Sequence, residues 1–276
     1  MEWQEMAMKD LRINRNLRKN LDVNVPQKDN VPVYKYMTIS TALKCLGIDG
    51  ERLKTTLRFT QPSEWNDPAE KAFYEATLKR GKETLNFYAY ACCVSKQQQS
   101  EAAWMTYEYG KHEGCVKFSI DKEKLYQEIE NWAANNGFTF YYDEAIYSDW
   151  GKLKELAEKI WNTEEVQKGS NILDVEKFLC MLLLKRNAYK YEDEIRLFLI
   201  KGDGKTQKID DEGKPTKILD IAINLPDCIN AIYIGKTCGY KMVEQLKNSQ
   251  YKDKVHDSTW DNDKVPVSIT INKNKQ

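Results

Sequence analysis

The stretch from Leu57 to Glu70, Leu-Arg-Phe-Thr-Gln-Pro-Ser-Glu-Trp-Asn-Asp-Pro-Ala-Glu, constrains the fold more than any other part of the chain. A short β-type run with Leu57 and Phe59 at alternate positions stops at Pro62, which has no amide to give to a ladder. The chain then turns through Trp65-Asn66-Asp67-Pro68 and opens a helix. Proline suits a first helical position, the aspartate before it can accept from orphan amides, and Glu70 falls in the electropositive first turn. A strand and a helix are thus joined through one short turn, which also crowds Trp65, Asn66, Asp67 and Glu70 together. A well-capped helix start explains those residues, and so does a site.

With 276 residues, 41% of them hydrophobic, the chain can bury a real core as one large domain or two small ones. Lys+Arg and Asp+Glu each number 42, so no large basic face for nucleic acid is announced. No apolar run approaches the ~20 residues that cross a bilayer, and the polar, acidic start Met1-Glu2-Trp3-Gln4-Glu5 does not read as a signal peptide. The seven cysteines form no Cys-x-x-Cys pair, and most lie in apolar runs such as Tyr90-Ala91-Cys92-Cys93-Val94. They read as small buried hydrophobes in a reducing compartment, which makes the cytoplasm the expected location. With only His112 and His256, and no zinc-type spacing, no metal site is expected from histidine or cysteine.

Periodicity and turn residues predict residues 1–30 as a helical arm and linker, and 31–276 as a single α+β domain. Its sheet is expected to be mixed or mostly antiparallel, with flanking helices. Strands are predicted over 31–37, 57–60, 86–95, 114–120, 138–147, 194–200, 218–223, 229–234 and 265–271. Helices are predicted over 41–46 (capped by Ser40 or Thr41), 67–80, 102–109, 122–134, 152–161, 173–184 and 240–248. The polar segment 202–215 is expected to join its two flanking strands as a long hairpin.

A second acidic cluster lies far downstream, in Tyr191-Glu192-Asp193-Glu194-Ile195-Arg196-Leu197-Phe198. If this is strand throughout, Glu192, Glu194 and Arg196 share one face, with Ile195 and Leu197 on the other. A solvated edge with a Glu–Arg ladder is one reading. A site is the other, because carboxylates are poor strand formers and repel on a shared face unless something between them needs negative charge. Ser95 ends the apolar run 90–94, where its hydroxyl emerges at a strand terminus; a plain cap or turn serine is one reading and a site residue the other. Trp104 and Tyr107, one helical turn apart, read as core or as an aromatic wall together with Trp65. No histidine is placed to pair with Ser95, so a Ser-His-Asp triad is not supported.

Taken in order, Val33-Tyr34-Lys35-Tyr36, Trp65-Asn66-Asp67-Pro68-Ala69-Glu70, Cys93-Val94-Ser95, Ala103-Trp104-Met105-Thr106-Tyr107, Gly114-Cys115-Val116-Lys117-Phe118, Tyr191-Glu192-Asp193-Glu194-Ile195-Arg196 and Ile232-Tyr233-Ile234-Gly235 resemble the bacterial domain-of-unknown-function family numbered twenty-nine seventy-one. The resemblance runs from about Val31 to Gly235. One departure is Tyr189, where that family's pattern usually has a tryptophan before the acidic motif. A more distant similarity is to the ADP-ribosyltransferase superfamily, in the order Tyr-x-Tyr strand, Ser-x-x-Leu helix, serine-ended central strand and late Glu-x-Glu strand. That similarity implies an ADP-ribosyltransferase-like sheet and NAD as co-substrate. Tyr34, Lys35 or Tyr36 together with Ser95 would hold the NAD, and Glu192 or Glu194 would act at the ribose. It also implies a nucleotide as small-molecule partner, an unspecified macromolecular acceptor, and a toxin or phage-defence setting.

Three functional readings follow. The first is an NAD-consuming, ADP-ribosyltransferase-like enzyme. The second is a non-enzymatic regulatory or binding module, in which Asn66, Asp67, Glu70 and Arg196 form a structural polar network. The third is a metal-dependent nuclease using Asp67, Glu70, Glu192 and Glu194 as oxygen ligands. Each makes a geometric demand. The enzyme needs the first strand, Ser95 and the Glu-x-Glu row on one cleft, the network needs Glu70 or Asp67 on Arg196, and the nuclease needs the two acidic clusters to meet within a few ångströms.

Overall fold

The sheet begins with Val33–Thr38 (β1), which alternates Val33, Lys35 and Met37 with Tyr34, Tyr36 and Thr38 and so presents two different faces. The computed structural model describes residues 31–48, 55–80, 88–108, 113–162, 171–201 and 216–258. The expected arm 1–30, the turn 202–215, the strand 265–271 and His112 lie outside the described residues. After β1 come Ile39–Cys45 (α1), Thr56–Thr60 (β2), Pro68–Arg80 (α2), Tyr88–Ser95 (β3), Glu101–Glu108 (α3), Cys115–Ile120 (β4), Lys122–Asn136 (α4), Thr139–Glu144 (β5) and Ile146–Ser148 (β6). Trp150–Asn162 (α5), Asn171–Leu183 (α6), Leu184–Arg186 (β7), Glu194–Lys201 (β8), Ile218–Ala222 (β9), Leu225–Cys228 (α7), Ile229–Ile234 (β10), Tyr240–Lys247 (α8) and Val255–Asp257 (β11) complete the order.

The main sheet runs β11-β10-β4-β1-β3-β2-β9, with β8 added to β3 and β5 to β8. Every pairing in it is antiparallel except β10 with β11. The expected α+β class with a mostly antiparallel sheet and flanking helices is therefore observed. Two local expectations are corrected. β9 does not form a hairpin with β8: both edges of β8 are taken, by β3 and by β5, and β9 pairs β2 with Leu57 opposite Ile221. The cap of α1 is Thr38 rather than Ser40 or Thr41, its hydroxyl accepting from the Thr41 amide at 3.3 Å.

The two faces of the sheet bury different cores. Val33, Met37, Tyr90, Cys92, Val94, Ile195, Leu197 and Leu199 pack with α1 and α4. On the opposite face, Ala89, Ala91, Phe198 and Ile200 pack under α2, α5 and α6, and Tyr34, Tyr36 and Cys115 pack under Trp104 of α3. α6 is buried from Phe178 onward, as its unbroken apolar sequence predicts. This second face thus carries two separate helical covers, and the seam between them is where the site forms.

The sheet also branches at that seam. β8 pairs with β3 along its whole length, from Tyr88–Lys201 to Ser95–Glu194. Both β1 and β2 must therefore share the other edge of β3, where β2 registers at Ala91 and β1 at Ser95. Two strands on one edge have to splay. In the gap, the Cys93 carbonyl accepts from Lys35 Nζ at 2.9 Å instead of from a neighbouring strand.

Candidate functional site at the branch of the sheet

Register places Ser119 of β4, Tyr34 of β1, Ser95 of β3 and Glu194 of β8 in one row across four strands, on the seam face. A cleft of about 230 Å³ opens over this row. Tyr34, Lys35 and Tyr36 of β1, Cys93 to Ser95 of β3, Ala103 and Thr106 of α3, and Tyr191, Glu192 and Glu194 line it. The first-strand residues, Ser95 and the two glutamates expected from sequence do meet in one place. A second cavity of about 510 Å³ lies in the splay between β1 and β2 and shares Lys35, Tyr36 and Cys93 as walls; Arg58, Thr38, Ser40 and Trp65 also line it.

The acidic row is not solvated. Arg196 is 1% exposed and Glu194 6%, because α2 and α6 cover this face. The Arg196 guanidinium donates to Glu70, to the Leu182 carbonyl and to Glu194 at 3.1 Å, and stacks 4.5 Å from the Trp65 ring centre. Lys185 of β7 donates to Glu192 at 2.5 Å and to Glu194 at 2.6 Å, and lies 3.5 Å from Glu70. Two cations therefore stand among three carboxylates. Burial alone would raise the Glu194 carboxyl, but Arg196 and Lys185 overcome it and hold the group at about 2. Glu192 keeps a third of its side chain exposed, and its pKa is raised by burial against the opposing pull of Lys185.

The two sequence clusters are halves of one network, with Glu70 on Arg196 as the joint. Asp67 serves two ends: it accepts from the Ala69 amide at 2.8 Å as a helix cap and from Arg186 at 3.2 Å. Asn66 is exposed. Trp65 lines the second cavity and covers Arg196. Trp104 is 1% exposed in the core beneath β1 and is not part of the cleft wall, and the side chain of Tyr107 lies outside the described residues.

The expectation that Glu192 shares the strand with Glu194 is corrected. Residues Asn187–Glu192 form a 3₁₀ turn, and Asp193 takes the left-handed conformation (φ 41°) before β8 starts at Glu194. The turn is fastened from three sides. Ser95 Oγ donates to the Glu192 carbonyl at 2.5 Å, the Lys96 amide to the Asp193 carbonyl at 2.9 Å, and Tyr147 Oη accepts from the Glu194 amide at 2.9 Å. Ser95 Oγ also accepts from the Gln97 amide at 3.0 Å, so its hydroxyl is committed to holding backbone. Tyr36 Oη likewise ties down the segment after β3, bonding Gln97 and Gln98 carbonyls and accepting from the Ser100 amide.

Two lysines escaped the sequence reading. Lys185 was visible only as one charge in Lys185-Arg186; nothing in the pattern told that β7 would carry it between three carboxylates. Lys117 sits at 2% exposure among the rings of Tyr233, Tyr34 and Trp104 (4.3, 5.5 and 5.7 Å) and donates to the Gln98 carbonyl at 2.8 Å. Burial lowers its pKa to about 8. A lone lysine among apolar residues in Cys115-Val116-Lys117-Phe118 was the available signal.

A metal site of the nuclease type fits poorly. The space between Glu70, Glu192 and Glu194 is filled by an ammonium and a guanidinium, so a divalent ion would have to displace both. Among the described residues no group of three or more His, Cys, Asp or Glu side chains is arranged to hold a metal ion, and no helix is long and apolar enough to cross a membrane.

Residues 105–197 match the model of a family described as protein of unknown function (DUF2971). The resemblance seen in the sequence is borne out over that segment, which carries Lys117, Lys185, Glu192, Glu194 and Arg196 but stops short of the Trp65–Glu70 turn. No curated protein and no solved structure matches the chain. The ADP-ribosyltransferase similarity has no counterpart in these comparisons.

Proposed function

Starting from a family segment that brings no assigned activity, we propose that the branch-point cleft is the NAD site of an ADP-ribosyltransferase-like enzyme. The observation that carries this reading is the convergence of Tyr34, Ser95, Glu192 and Glu194, from three separate parts of the chain, on one cleft. In this reading Glu192 is the acting carboxylate, because Glu194 is engaged by Lys185 and Arg196 while Glu192 retains solvent access. The reaction breaks the bond between the ribose anomeric carbon and the nicotinamide nitrogen. The bonding pair leaves on nitrogen, the ribose becomes oxocarbenium-like, and water or an acceptor nucleophile forms the new bond. A fixed carboxylate beside the ring stabilises that positive charge only as it develops. Ser95, Lys185 and Glu194 then act as positioning residues that fasten the Glu192 turn.

The test is nicotinamide release from NAD by the purified protein, followed chromatographically. Wild type should turn over, and Glu192→Gln should lose about 100-fold or more in rate, the usual scale for removing one transition-state electrostatic group, while remaining folded by circular dichroism. Absence of both NAD binding and nicotinamide release with wild type at millimolar NAD would overturn the reading. A binding module is the second reading, favoured by the commitment of Ser95 and Glu194 to internal bonds; it expects NAD or nicotinamide to bind with no release.

A further inference from the structure

Tyr191 is out of place as a structural residue. It lines the cleft, yet 41% of it is exposed, one of six large hydrophobic side chains left so open among the described residues. A tyrosine this open gains little from core packing. Its brace is Tyr189, whose ring centre lies 6.4 Å away at a 46° tilt, and Tyr189 is in turn faced by Arg186 at 5.1 Å and Lys185 at 5.4 Å.

The backbone around Tyr191 is tied down at several points. Asp193 holds a left-handed φ of 41°, a conformation costing a non-glycine residue about 1 kcal/mol or more unless its surroundings enforce it. Ser95, the Lys96 amide and Lys185 do the enforcing, through Glu192 and Asp193. Lys96 also reaches the Glu144 and Asp193 carboxylates at 2.9 and 3.4 Å. The ring is thereby presented at the mouth at a low ordering cost.

The polar groups beneath it are engaged. Ser95 Oγ, Tyr36 Oη and Glu194 bond within the protein, and Thr106 Oγ1 donates to the Ala102 carbonyl. What the cleft offers a ligand is apolar and aromatic surface, Tyr191, Tyr34 and Ala103, with the partly exposed Glu192 carboxylate at its side. Such a surface selects a flat ring bearing hydrogen-bond donors or positive charge at its edge, and rejects a polyol that needs many polar partners.

We infer that Tyr191 is the specificity-determining residue of the cleft, an aromatic platform on which a planar, donor-bearing or cationic ring of the ligand stacks. The inference rests on the small-molecule reading of the site, but not on turnover.

The experiment titrates nicotinamide and ribose, as planar and non-planar probes, into wild type, Tyr191→Phe and Tyr191→Leu by protein-observed or saturation-transfer NMR. Nicotinamide should bind wild type and Tyr191→Phe within about threefold and Tyr191→Leu about tenfold more weakly, the scale of one stacking contact; ribose should not separate the three. Melting temperatures should agree, since the side chain is open, and Tyr191→Phe keeps the comparison valid if leucine disturbs the turn. Equal nicotinamide affinity in Tyr191→Leu, or no nicotinamide binding to wild type, overturns the inference. If nicotinamide binding depends on the ring while NAD is not consumed, the platform stands and the transferase reading falls.

Discussion

Lys117→Met should make the protein more stable at neutral pH, although it removes a hydrogen bond and a charge from the middle of a strand. Lys117 is 2% exposed and no carboxylate is paired with it among the described residues. Burial takes its pKa from 10.5 to about 8. At about 1.4 kcal/mol per pH unit, the folded state disfavours the ammonium by roughly 3 kcal/mol. The rings of Tyr34, Trp104 and Tyr233 offset part of this, about 0.5 kcal/mol or more each, which leaves a net penalty of about 1–2 kcal/mol. Methionine keeps the apolar stem and loses the ammonium. The Gln98 carbonyl left behind still accepts from Tyr36 Oη at 3.2 Å, so no buried acceptor is orphaned.

The pH dependence gives the sharper signature. A lysine with a depressed folded pKa binds fewer protons folded than unfolded between about 8 and 10.5, so wild type gains stability as pH rises through that window. Below pH 8 both states carry the proton and the penalty is complete; above 10.5 it vanishes. Urea unfolding of wild type and Lys117→Met at pH 7 and pH 9.5 should therefore show the variant ahead by about 1–2 kcal/mol at pH 7, the gap closing at pH 9.5. Other titrating groups cancel in the difference. A variant less stable than wild type at pH 7, or a gap independent of pH, would refute the reasoning and assign the buried cation a structural value that outweighs its desolvation.

Arg196→Met should destabilise by about 3–5 kcal/mol by chemical denaturation, because it leaves Glu70 and Glu194 buried with one fewer cation; adding Glu70→Gln to it should recover part of the loss, and strict additivity would argue against the network. Acid should unfold the protein through Glu194: its folded pKa of about 2 against an ordinary 4.5 gives stability that is complete above pH 4.5 and lost as pH falls toward 2, so Glu194→Gln should flatten the melting curve in that range. Gly114→Ala should be strongly destabilising, by about 2 kcal/mol or more, because φ is +84° and a Cβ would lie 2.5 Å from the Cys238 backbone, whereas Gly137→Ala meets no atom within 4 Å and pays only for its positive φ. In the turnover assay, the rate should fall on the acid side at a pH above the ordinary glutamate range, since burial raises the Glu192 carboxyl.

The sequence by itself determined the local elements and one correct pairing of distant features. The Trp65–Glu70 turn and the Glu192–Arg196 segment were legible as unusual because carboxylates rarely sit beside apolar β runs, and the alternation of Ile195 and Leu197 with Glu194 and Arg196 named the faces of β8. Tertiary structure decided what those residues mean. That Glu192 hangs from a 3₁₀ turn rather than from the strand depends on one left-handed residue, Asp193, stabilised by bonds from Ser95 and Lys96 that no periodicity encodes. That the acidic row is buried depends on α2 and α6 crossing it, and that it is neutralised depends on Lys185 arriving from β7. The cleft itself comes from a strand edge shared by two neighbours, a consequence of which strands pair. Pairing is a long-range choice made by the whole sheet, so a chain read residue by residue shows which groups are costly but not which others are brought to meet them.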